Sequence, residues 1–128
     1  MTDCDGLLHT RALHGILLFN DGKYFEAHEE LEVAWKEEKG EIRRLYQGIL
    51  EAGVAYLHIT RGNYAGAIKV YGRSMKWLKG WPENCRGVNV GQLRIDLEAA
   101  IAEVHRLGET GINDFDRSML KPVVWKEG

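Results

Sequence analysis

From Leu7 to Val104 apolar residues return every three or four positions, and short, mostly glycine-bearing breaks separate the runs. That is the pattern of amphipathic helices joined by tight turns. Leu7, Leu8, Ala12, Leu13, Ile16 and Leu17 predict a first helix over about 7–19. Asn20-Asp21-Gly22 interrupts it: Gly22 suits a left-handed helix end, and Asn or Asp suits the cap of the next helix. A second helix over about 23–38 ends at Lys39-Gly40, and a third, over about 41–61, is apolar on nearly every side and so reads as central and buried. Gly62-Asn63 repeats the turn, and a fourth helix follows over about 64–80. Trp81 to Val88 reads as a loop, and Asn89 with Gln92 as a capping box opening a last helix over about 90–107. The stretch 112–128 has no period, but Phe115, Met119, Leu120, Val123, Val124 and Trp125 predict an arm packed on the bundle or on a partner.

Polar residues interrupt the apolar faces at two places. On the second helix, His28 and Glu32 fall inside the stripe of Tyr24, Leu31, Trp35 and Phe25, which reaches about 60° to either side of His28, with Glu29 at its edge. On the third, Gln47, Glu51 and His58 form a line within about 40° of one another. Charge in a packed face must be paired, protonated or bound to something, because an unpaired buried charge is costly. Gly48 and Gly53 are unfavourable inside a helix and predict close approach of a neighbouring one. On the fourth helix Lys69, Arg73 and Lys76 form a basic stripe, read as a solvated face, while Val70 and Trp77 form a small apolar strip that calls for a partner: the last helix or a second subunit.

Composition narrows the function classes. The chain of 128 residues is 45% hydrophobic and 28% charged, which suits one globular domain over 1–128. A net charge of −2 argues against nucleic acid and acidic membranes as partners. Two prolines, Pro82 and Pro122, both lie late, so the first four helices carry no breaker. Cys4 and Cys85 are far apart in no Cys-x-x-Cys pattern; the expectation is no disulfide framework and no thiolate zinc site. No signal-peptide pattern and no membrane-length apolar run is read, so the expected location is the reducing cytoplasm. His9, His14 and His105 stand alone and read as surface residues, and no phosphate-binding glycine loop or nucleophile elbow is present.

Gly-Lys-Tyr-Phe-Glu-Ala at 22–27 matches Gly-Asn-Tyr-Ala-Gly-Ala at 62–67. This repeat resembles the turn and second helix of a tetratricopeptide unit and implies two stacked helical hairpins. A second resemblance is more specific. Phe19, Asn20, Gly22, Tyr24-Phe25-Glu26-Ala27-His28-Glu29, Leu31-Glu32 and Trp35, followed by Tyr46-Gln47-Gly48-Ile49-Leu50, Ala55, His58, Arg61-Gly62-Asn63 and Gly66-Ala67, resemble the pattern of a small bacterial and archaeal helical family known as domain of unknown function 309. The resemblance covers about residues 13–79 and implies an all-α bundle, with no established reaction. Where this chain has Glu51 the family pattern usually has glutamine, so this chain adds a negative charge to the polar line.

The fold expected is therefore all-α, a single bundle of about five helices with two helical hairpins. If the second and third helices pack antiparallel, His28, Glu29 and Glu32 face Gln47, Glu51 and His58. The leading reading of that cluster is a hydrogen-bond network fixing helix register. The next is a divalent-metal site at His28, Glu32, Glu51 and His58, suited to Zn²⁺, Mn²⁺ or Fe²⁺, although no His-Glu-x-x-His motif is present. A metal-free acid/base pair on His28 and an organic ligand follow. Two functions stay open at this level: a small enzyme or ligand-binding protein using the cluster, or a helical protein-interaction module. A homo-oligomer through Val70, Trp77 or the arm is a further expectation.

Overall fold

The computed structural model describes residues 2–127. Among them the helices are α1 (Thr10–Asn20), α2 (Tyr24–Glu37), α3 (Ile42–Thr60), α4 (Tyr64–Leu78) and α5 (Val90–Gly111). Gly22 (φ 77°) and Gly62 (φ 70°) hold the left-handed conformation that lets α1 reverse into α2 and α3 into α4. Asn63 caps α4 by accepting from the Gly66 amide at 2.9 Å, and Asn89 caps α5 from Gln92 at 2.9 Å. The reciprocal half of that capping box is absent: the Gln92 side chain donates to Asp96 instead. The cap position of α2 is Lys23, without a side-chain cap bond, so neither Asn20 nor Asp21 caps it.

The hairpins α1–α2 and α3–α4 stack through α2 against α3, and α5 lies against α4. The expected all-α bundle is the fold, and α3 is its central helix, burying Ile42, Leu45, Tyr46, Ile49, Leu50, Ala52, Ala55, Tyr56 and Ile59. Close approach at Gly48 has a visible cause: a Cβ there would sit 2.6 Å from Leu78 Cδ2. Ser74, fully buried on α4, uses the same opening to donate to the Gly48 carbonyl at 2.8 Å.

Four expectations are corrected. The first helix starts at Thr10, because residues 6–9 run outside it and His9 becomes its cap. The loop after α4 contains a small hairpin, β1 (Asn84–Cys85) and β2 (Val88–Asn89), too short to show a period in sequence. Helical residues continue past 107, with a break at Gly108 (φ 73°). Most importantly, Cys4 and Cys85 form a disulfide. Sequence spacing carries no information on a pairing made between a three-residue-scale turn at the N-terminal end and a distant hairpin; only the tertiary fold brings them together. The arm packs on its own chain: the Asn89 amide donates to the Val124 carbonyl at 2.8 Å, the Lys126 amide to Gly87 at 2.9 Å, and Val123 is buried.

Candidate functional site

The polar line of α3 lies on its less buried side, between α2 and α4, and the contacts show which neighbour each residue serves. Glu51 turns to α4: its Oε1 lies 3.1 Å from Arg73 Nε, and its side chain is only 13% exposed. Its Oε2 is buried without a hydrogen-bond partner. Burial pushes the Glu51 carboxyl above its usual range, with Arg73 and the Trp77 side chain pulling it back. Gln47 accepts from Arg44 at 3.1 Å, and the Arg44 guanidinium covers the Trp77 ring at 4.6 Å, with Lys76 on the ring at 5.1 Å.

His58 also serves α4. The Asn63 oxygen is committed to capping, so its amide nitrogen faces His58 Nδ1 at 3.1 Å and donates to it. An accepting Nδ1 belongs to the neutral imidazole that carries its proton on Nε2. Burial lowers the His58 pKa, and the nearby Arg61 and Arg73 lower it further.

His28 and Glu32 stay together on α2. Their side chains are 34% and 38% exposed, His28 Nε2 lies 3.6 Å from Glu32 Oε2, and Lys36 donates to Glu32 at 3.3 Å. Phe25 packs its ring beside His28 and is itself 53% exposed, although the wheel placed it in the apolar stripe. Glu29 is exposed. The contacts thus give three local sets, His28–Glu32–Lys36 on α2, Arg44–Gln47–Trp77–Glu51–Arg73 across α3 and α4, and His58–Asn63 at the α3–α4 turn. Among the described residues no group of three or more His, Cys, Asp or Glu side chains converges on one metal position, so His28, Glu32, Glu51 and His58 do not meet as a ligand set.

The well-formed cavities lie elsewhere. One of about 310 Å³ is lined by Leu7, Leu8, Leu13, Arg86, Trp125 and residues beyond it. Sequence reasoning missed two residues that organise that end of the molecule. Arg86 donates to the Asp3 and Leu7 carbonyls and lies 3.7 Å from Glu38. Asn20 both accepts from the Val123 amide at 2.7 Å and donates to its carbonyl at 3.0 Å. Asn20 was legible only as a turn residue, and Arg86 carried no signal at all. Val70, 3% exposed, is already covered within its own chain.

With this geometry in view, comparison with known proteins places the first four helices. Residues 12–70 match the family model described as domain of unknown function (DUF309). The DUF309 match takes in His28, Glu32, Gln47, Glu51 and His58, and it ends before Arg73 and Trp77, which complete the α3–α4 set. An uncharacterized protein of Aquifex aeolicus (strain VF5) is 32% identical over 84 residues, 65% of this chain and 25% of that protein. The uncharacterized protein YpuF of Bacillus subtilis (strain 168) is 40% identical over 57 residues, 44% of this chain and 33% of that protein. The matches therefore span a quarter to a third of the length of these relatives. The DUF309 resemblance read from the residues stands, and with it a function that no relative here defines. Among the described residues no helix is long and apolar enough to cross a membrane.

Proposed function

We propose that this chain is a helical interaction module that binds a protein partner across the face formed by α2, α3 and α4. The observation that supports this reading is the division of the polar cluster. Glu51 and His58 are engaged by Arg73 and Asn63, which tie α3 to α4, and His28 lies beside Glu32 within α2, so these groups do not converge on one reacting or metal-bound atom. What the same face offers outward is Phe25, half exposed on α2, beside a half-buried Trp77 whose ring Arg44 and Lys76 cover. Aromatic side chains rimmed by charge are the composition of protein interfaces. The exposed charge differs in sign between the outer helices: Glu26 and Glu29 on α2, Lys69 and Lys76 on α4. The fitting partner is a protein surface carrying both signs, and neither nucleic acid nor a membrane is proposed. A cytoplasmic location remains part of this proposal.

The test is a photo-crosslinking residue placed in turn at Phe25, Lys76 and Glu109, the last on α5. Discrete adducts from the first two positions in the source cells, and none from the third, are expected. No adduct, or the same adduct from all three, would count against the reading. Glu51 favours a second reading, a small hydrogen-bond donor bound at its unpartnered Oε2. Ligand-dependent melting that disappears in Glu51→Gln would support that one instead.

A further inference from the structure

We propose that the Cys4–Cys85 disulfide is a reducible latch that holds the segment before α1 against the bundle. The segment itself has little to keep it there. Residues 2–5 make one 3-10 turn, residues 6–9 have no helix or strand, and Leu7 is 75% exposed. Only Cys4 and Leu8 pack against the core. The remaining ties are polar and cluster beside the disulfide. The Arg86 amide donates to the Cys4 carbonyl at 3.0 Å, and the Arg86 side chain to the Asp3 and Leu7 carbonyls. Asp3 accepts from the Ile42 amide at 3.1 Å, closing the N-terminal end of α3, and the His9 amide donates to Tyr46 at 3.0 Å. Each of these hydrogen bonds is worth little net against its bonds to water in the open state, so the covalent link is what makes the segment's closed position persistent.

The chemistry is thiol–disulfide exchange with a dithiol reductant. Cys4 is the more accessible partner, since Cys85 is buried. A thiolate of the reductant attacks the Cys4 sulfur, and Cys85 leaves as a thiolate and takes up a proton. The reductant's second thiol then attacks the mixed disulfide and releases Cys4. Two electrons and two protons pass to the protein, and the dithiol becomes a disulfide. Release removes Leu7 and Leu8 from the wall of the 310 Å³ cleft, bares Leu13 and Trp125 across it, and leaves the Ile42 amide without its acceptor.

Hydrogen exchange by mass spectrometry on the full chain tests this, with thiols counted by alkylation. Oxidised protein is compared with protein held in dithiothreitol. The expected result is two alkylated thiols, faster exchange over residues 2–9, and exchange at the α3 start about tenfold faster beyond the loss that lower global stability gives α2 and α5 alike. Reoxidation should reverse it, and the Cys4→Ser/Cys85→Ser double variant should show the reduced pattern without reductant. The proposal is overturned if the bond resists dithiothreitol in the folded protein, if exchange is the same in both states, or if residues 2–9 and the α3 start lose no more protection than α2 and α5.

Discussion

Glu51 carries an unusual load for one side chain: it joins α3 to α4 through Arg73 while one oxygen stays buried and unpartnered. Its folded pKa lies above the unfolded value of 4.5 because burial outweighs Arg73 and Trp77. Between those two values the folded chain keeps a proton that the unfolded chain has released. Stability therefore falls as pH rises through that window and stays lower above it. Glu51→Gln removes the charge and keeps the shape, so its urea midpoint should exceed wild type at pH 7, and the gain should shrink as pH approaches 4. A lower midpoint at pH 7 would mean that the Arg73 pair outweighs burial. The helical wheel put Glu51 in a polar line with Gln47 and His58 and set that line opposite α2, whereas Glu51 pairs with Arg73 of α4. That choice depends on Gly48 admitting Leu78 and Ser74, a packing event between residues far apart in sequence. Phe25 misled the wheel for a related reason: a stripe records which residues are apolar, not how far the neighbouring helix extends.

At the scale of elements, the helices and their turns were legible because their signals are local. Gly22, Gly62, Asn63 and Asn89 each act within a few residues of their own backbone. The hairpin was not, since strands of two residues leave no alternation; the packed arm was legible from its apolar residues, but not the partners that hold it, which lie elsewhere in the chain. Asn20 is the clearest case, a turn residue by sequence that grips the Val123 backbone like a neighbouring strand. Asn20→Ala would leave a partly buried amide and carbonyl unsatisfied. The expected cost is about 1–3 kcal/mol in denaturant unfolding, with faster amide exchange confined to 123–126. Slower or unchanged exchange there would show that burial of Val123 alone holds the arm.

For the molecule as a whole, the disulfide closes a separation of 81 residues. By the loop-entropy argument a bond of that span restricts the unfolded chain enough to stabilise the fold by about 4.5 kcal/mol. Denaturant midpoints of oxidised wild type and of the Cys4→Ser/Cys85→Ser variant should differ by that amount at constant slope. A change in slope would point to altered compactness of the unfolded chain instead. The hairpin that receives Cys4 also receives the arm: Cys85 and Arg86 hold one end of the described chain, and Gly87 and Asn89 hold the other. The backbone is therefore almost a closed ring in space. A short linker between residues 2 and 127 would complete that ring with little strain, and a new opening at the exposed Asp21–Gly22 turn would reorder the gene while every helix kept its neighbours.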